Sequence, residues 1–85
     1  MAKTFDEVLA EINAVVCDTL RDPAIKLKPE TTAKEVKNWD SLHHIEIVIA
    51  VEARFKIRFN FAELQKFKNV GQMSESVVKK INPAG

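Results

Sequence analysis

The run Asn38-Trp39-Asp40-Ser41-Leu42-His43-His44-Ile45-Glu46-Ile47-Val48-Ile49-Ala50-Val51-Glu52 contains no glycine or proline and is mostly apolar. Asp40 suits a helix N-cap, because its carboxylate can accept a bond from an orphan amide of the first turn. Ser41 then falls within that turn. A phosphate on its hydroxyl would lie where helix amides and the positive end of the macrodipole favour an anion. Wound as a helix, the run places Leu42, Ile45, Val48, Ile49, Val51 and Phe55 over more than half of the circumference. A helix that apolar is expected at the centre of the fold, with other helices around it.

The remaining pattern supplies those helices. Thr4 and Glu7 have capping-box spacing, and Phe5, Val8, Leu9, Ile12, Val15, Val16 and Leu20 then recur on one face, which predicts a first helix over Thr4–Leu20. Cys17 sits at the edge of that stripe with no basic neighbour to activate it and reads as inert. Between Arg21 and Asp40 no period is sustained. Pro23 and Pro29 interrupt the chain, Ile25 and Leu27 are spaced to tuck inward, and Thr32 with Glu35 can cap a single turn leading to Val36 and Trp39. The second helix runs from Ser41 to Phe55. Lys56 to Phe61 alternates basic and apolar residues. Asn60 with Glu63 caps a short third helix carrying Leu64 and Phe67. Asn69 with Gln72 caps a fourth, whose buried line is Met73, Val77 and Ile81, and Asn82 to Gly85 form a frayed tail. The expected architecture is all-α, a four-helix bundle in one domain over residues 1–85, with a long loop between helices I and II and a short helix III.

Composition narrows the function. Thirteen Lys and Arg against twelve Asp and Glu give a formal charge of +1, so nothing global demands a polyanionic partner. The one cysteine excludes an internal disulfide framework. No apolar stretch reaches membrane-spanning length, and Met1 to Lys3 lead into an amphipathic pattern rather than a signal sequence, so the expected location is the cytoplasm. Arg54, Lys56 and Arg58 interleave with Phe55, Phe59 and Phe61. The phenylalanines read as core and the cations as a solvated rim, not as a nucleic-acid surface. Asp40, Ser41 and His44 are the residue types of a hydrolytic triad, but one helix turn crowds them too closely for the base to reach the nucleophile while the acid orients it. His43 and His44 splay about 100° apart on a helix and cannot share a metal ion, so no metal site is expected.

Asp40-Ser41-Leu42 at the head of an apolar helix, in a four-helix chain of this length, resembles the acyl carrier protein family. Leu27-Lys28-Pro29-Glu30-Thr31-Thr32 resembles the loop before that family's serine helix. Ser41-Leu42 through Glu46, and Glu52-Ala53-Arg54-Phe55, follow the pattern of the helix itself, and Asn69-Val70-Gly71-Gln72-Met73 resembles the start of its last helix. The resemblance covers nearly the whole chain. It implies a carrier rather than an enzyme. Ser41, flanked by Asp40 and Leu42, would be esterified with 4'-phosphopantetheine by a phosphopantetheinyl transferase that uses coenzyme A. Acyl groups would then ride on the arm as thioesters between the loading and transfer enzymes of fatty acid, polyketide or related specialised acyl metabolism. The family's use of Mg²⁺ in the transferase complex relieves the repulsion between Asp40 and the incoming phosphate. By analogy, Phe59 and Phe61 are expected to line an acyl pocket between helices II and III.

The chain also departs from the family's acidic habit. His43, Glu46, Ala50 and Arg54, with Ile47 at the edge, form the least apolar side of helix II and are expected to face partner enzymes. Their mixed charge, together with Trp39, points to a specialised carrier with dedicated partners. The isolated chain is expected to be a monomer that binds neither nucleic acid nor membrane. Two other readings stay open: an aminoacyl or peptidyl carrier, which shares fold and serine, and a helical interaction module with no prosthetic group.

Overall fold

The computed structural model describes residues 3–81. Among them it shows four α-helices: α1 (Phe5–Leu20), α2 (Ser41–Phe55), α3 (Phe61–Lys66) and α4 (Val70–Ile81). One 3-10 turn, Ala33–Glu35, interrupts the α1–α2 connection. The all-α expectation holds; the tail from Asn82 to Gly85 lies outside the described residues.

Local chemistry sets the helix ends. The Thr4 hydroxyl accepts from the Glu7 amide (3.2 Å), and the Thr4 amide donates to the Glu7 carboxylate (3.0 Å). Asn60 and Glu63 repeat the device at α3. Both α1 and α2 stop at residues in the left-handed region, Arg21 (φ 56°) and Lys56 (φ 57°). The residue after each sends its amide back to the final turn, Asp22 to the Cys17 carbonyl and Ile57 to the Glu52 carbonyl, both at 3.0 Å. These bonds satisfy carbonyls that a helix end would otherwise leave unpaired.

The long connection is pinned at both ends of its course. On the α1 side, Asn13 works as a clamp, its Oδ1 accepting from the Leu27 amide (2.6 Å) and its Nδ2 donating to the Ile25 carbonyl (3.1 Å). On the α4 side, the Val70 and Gly71 amides donate to the Thr31 and Pro29 carbonyls at 2.8 and 2.7 Å. Loop carbonyls therefore cap α4. Gly71 permits the approach, because a Cβ there would stand 2.7 Å from the Pro29 oxygen.

The packing corrects one expectation. The hub is α1, not α2: Val8, Ile12, Val15, Val16 and Leu20 are buried, and α1 makes the principal contacts with both α2 and α4. From α2 only Ile47, Val48 and Val51 are buried, while Leu42 (65% exposed), Ile45 (57%) and Ile49 (59%) face outward. The reason is geometric. At six residues, α3 is about 9 Å long and cannot cover a helix of about 22 Å.

Candidate functional site

Ser41 is the first residue of α2 and is exposed. Its hydroxyl has no hydrogen-bond partner among the described residues. The acid beside it is occupied. Asp40 Oδ1 accepts from the His43 amide (2.9 Å) and from His43 Nδ1–H (2.8 Å). The His43 amide above all, and then its ring, hold the Asp40 carboxyl below its ordinary value. The negative charge is thus kept at the helix N-terminus, where the dipole favours it.

The neighbouring histidine turns the other way. The Trp39 indole N–H donates to His44 Nδ1 at 3.1 Å, and the two rings stack at 6.1 Å and 28°. An indole can only donate, so His44 accepts there as a neutral ring with its proton on Nε2. Burial pushes its pKa down. Trp39 itself is buried at 8% exposure. One histidine ring thus serves the cap, and the other, half-buried, is braced against Trp39. No triad exists here, because Asp40 serves His43 and Ser41 contacts neither ring. No group of His, Cys, Asp and Glu suited to a metal occurs among the described residues.

Ser41 heads a row. His44, Ile45, Val48, Ile49 and Glu52 follow it at helical intervals on one side of α2, and these five line a groove of about 430 Å³ whose other wall is Arg58, Phe59 and Leu64. Glu52 anchors that wall by accepting from the Phe59 amide at 2.7 Å. Glu63 ties α3 to α4 through Lys80 (2.9 Å) and the Ser76 hydroxyl (3.2 Å). An exposed serine therefore stands at the end of an apolar trough, a geometry suited to a tethered apolar group.

The other expected site residues divide. Phe59 lines the groove, whereas Phe61, at 74% exposure, projects into solvent at the start of α3 and is no part of it. The strip expected to face partners is split between core and surface. Ile47 is fully buried, and Ala50 is half-buried against the core. Arg54 ion-pairs across the helix interface with Glu11 of α1 (3.0 Å), a carboxylate that Lys3 also holds. His43, Ile47, Ala50 and Arg54 recur at four, three and four residues, which is the spacing of a helix–helix seam. Glu46 and Arg54 are the exposed members of that set. Leu42 is exposed beside Ser41 and, with Ile45 and Ile49, makes the apolar outer side of α2. Reading the sequence missed that side and missed Asn13; a lone amide between apolar positions of the first helix was the available signal for the latter.

No model of a protein family matches the chain. Individual proteins do. The acyl carrier protein of Thermosynechococcus vestitus is 31% identical over 75 residues, covering 88% of this chain and 93% of the relative. That of Helicobacter hepaticus is 36% identical over 64 residues, covering 75% and 84%. The solution structure of a holo acyl carrier protein from Geobacter metallireducens superposes with a TM-score of 0.84 at 35% identity, over 91% of this chain and 88% of that one.

Proposed function

The chain belongs to the acyl carrier protein family, and we propose that Ser41 is where it bears the family's 4'-phosphopantetheine group and that acyl thioesters are its cargo. It is a carrier, not an enzyme. The observation that carries the attachment site is the exposed, unbonded Ser41 hydroxyl at the head of the groove-lining row.

The residues present fit such a group. Ser41 Oγ is open to solvent, and the N-terminal turn of α2 favours a phosphate beside it. The groove below is apolar enough to take an alkyl chain. Ser41 is an unactivated alcohol with no base arranged around it, so a phosphopantetheinyl transferase must supply one. In the loading step Ser41 Oγ forms the new bond to phosphorus, the nucleotide half of coenzyme A departs, and the hydroxyl proton leaves to the transferase. When bound, the arm supplies a thiol for thioester formation. Asp40 keeps the first turn capped throughout, and Ile45, Val48 and Ile49 offer the cargo an apolar wall.

Partner enzymes dock, on this reading, on the outer side of α2, where Leu42, Ile45 and Ile49 surround Glu46 and adjoin His43. Three large apolar side chains left in water forgo roughly 1.5–3 kcal/mol each, and an exposed patch of this kind marks an interaction surface. The pathway is fatty acid, polyketide or related acyl metabolism in the cytoplasm. No helix among the described residues is long and apolar enough to cross a membrane. The test is the intact mass of the apo chain and of Ser41→Ala after incubation with a promiscuous transferase, coenzyme A and Mg²⁺. One added phosphopantetheine in the wild type alone is expected. A well-folded apo chain that gains nothing from several transferases would overturn the reading.

A further inference from the structure

The groove beneath Ser41 does not run on into the core, although apolar space lies behind it. A separate, mostly apolar cavity of about 50 Å³ sits there, lined by Trp39, Phe67, Val70 and Met73, with Lys68 and Asn69 also on its wall. Its volume is that of one or two waters at about 30 Å³ each. Among the described residues, His44 is the one that lines both spaces. Beside it, Phe59 lines the groove, Phe67 lines the cavity, and their rings meet edge to face at 5.3 Å.

Resting on the reading of Ser41 as the attachment point, the geometry points to a partition: His44, braced by Trp39, and the Phe59–Phe67 pair close the inner side of the α2–α3 groove and restrict the carried acyl group to a short chain. A ring held only by van der Waals contact could change rotamer and let a longer chain past. The Trp39 hydrogen bond opposes that, because swinging His44 away would leave a buried indole N–H without a partner, and unmade buried hydrogen bonds are costly. His44 is the wall, and Trp39 acts through it as a positioning residue. Behind the wall, Val70 and Met73 are almost fully buried and apolar, so an alkyl chain would find a compatible lining there once the imidazole is gone. The opposite wall is anchored at its backbone, where Glu52 accepts from the Phe59 amide, and its ring packs edge to face on Phe67.

The test loads wild type, His44→Ala, His44→Leu and Trp39→Phe from coenzyme A thioesters of straight acyl groups, acetyl to dodecanoyl in two-carbon steps. Each product is verified by intact mass, and its thermal midpoint is compared with that of the holo form of the same variant. In the wild type the midpoint is expected to rise over the short chains and then stop rising. His44→Ala moves that break at least one two-carbon step longer. His44→Leu refills the volume without the Trp39 hydrogen bond, so its break moves less far than that of His44→Ala. Trp39→Phe, which retains an aromatic ring but not the donor, shifts it in the direction of His44→Ala and serves where His44→Ala folds poorly. Breaks at the same length in His44→Ala and Trp39→Phe as in wild type overturn the partition, as does a wild type stabilised progressively to the longest chain. A chain that accepts no arm overturns the carrier reading and the partition with it; a chain that loads but shows no shift overturns the partition alone.

Discussion

Trp39 and His44 lie on either side of the helix start and are joined by an indole-to-imidazole hydrogen bond of 3.1 Å. That bond requires a neutral His44 ring, so the proton is in competition with Trp39 for Nδ1. It couples the last loop residue but one before Ser41 to the residue one turn beyond it.

Acid should therefore weaken the fold through His44. Burial depresses its folded pKa below the ordinary 6.5, so the native state binds fewer protons than the unfolded chain. The stabilisation is present above the ordinary value and is lost as pH falls through the depressed one. Urea midpoints at about pH 7 and about pH 5, bracketing histidine titration, should fall in the wild type and fall less in His44→Leu. Equal slopes would mean that His44 is not the titrating group.

The two isoleucines two residues apart should respond oppositely. Ile47→Ala opens a hole at a fully buried position and should cost about 2–5 kcal/mol in a denaturant titration. Ile49→Ala, at 59% exposure, should stay within about 0.5 kcal/mol. It should instead slow loading by the transferase, seen as a raised KM.

Asn13→Ala should loosen the loop. It leaves the Leu27 amide without its side-chain acceptor and the Ile25 carbonyl with only the Cys17 thiol as donor, at a cost of roughly 1–3 kcal/mol. Hydrogen exchange at the Leu27 amide should accelerate more than at Val15 or Val16. Uniform acceleration would indicate global destabilisation instead.

Gly71→Ala sets two effects against each other. Alanine gains up to about 1 kcal/mol of helix propensity over glycine, but its Cβ would meet the Pro29 carbonyl oxygen at 2.7 Å, which is backbone and cannot swing aside. Steric crowding of this kind costs about 1–3 kcal/mol, so net destabilisation is expected, together with lost protection of the Gly71 amide.

Lys56→Gly should stabilise. Lys56 holds φ at 57°, which costs a side-chain-bearing residue roughly 1–2 kcal/mol, against about 0.4–1 kcal/mol of extra unfolded-state entropy for glycine. A small rise in thermal midpoint is the expected reading; a fall would show that the Lys56 side chain contributes something the geometry does not reveal.

The helix ends were readable because capping is local chemistry. Thr4 with Glu7, Asp40, and Asn60 with Glu63 sit where short-range hydrogen bonding puts them. The facing of α2 was not readable. Leu42, Ile45 and Ile49 are as apolar as Ile47, Val48 and Val51, and a wheel that apolar does not say which arc meets a neighbour. Arg54 lies at the surface as a charge normally does, but its ion pair was not readable, because its partner Glu11 lies on another helix.

The sequence by itself determined the four helices, their boundaries, and the exposed serine at the head of the second, since spacing and capping act within a few residues. Tertiary structure alone decided that α1 is the hub, that α2 shows water an apolar side, and that Trp39 and His44 wall off the groove. Those outcomes depend on which surfaces meet after the chain turns back on itself. The short α3 leaves one arc of α2 uncovered, and distant segments such as Pro29 and Gly71 fit only where both backbones can approach.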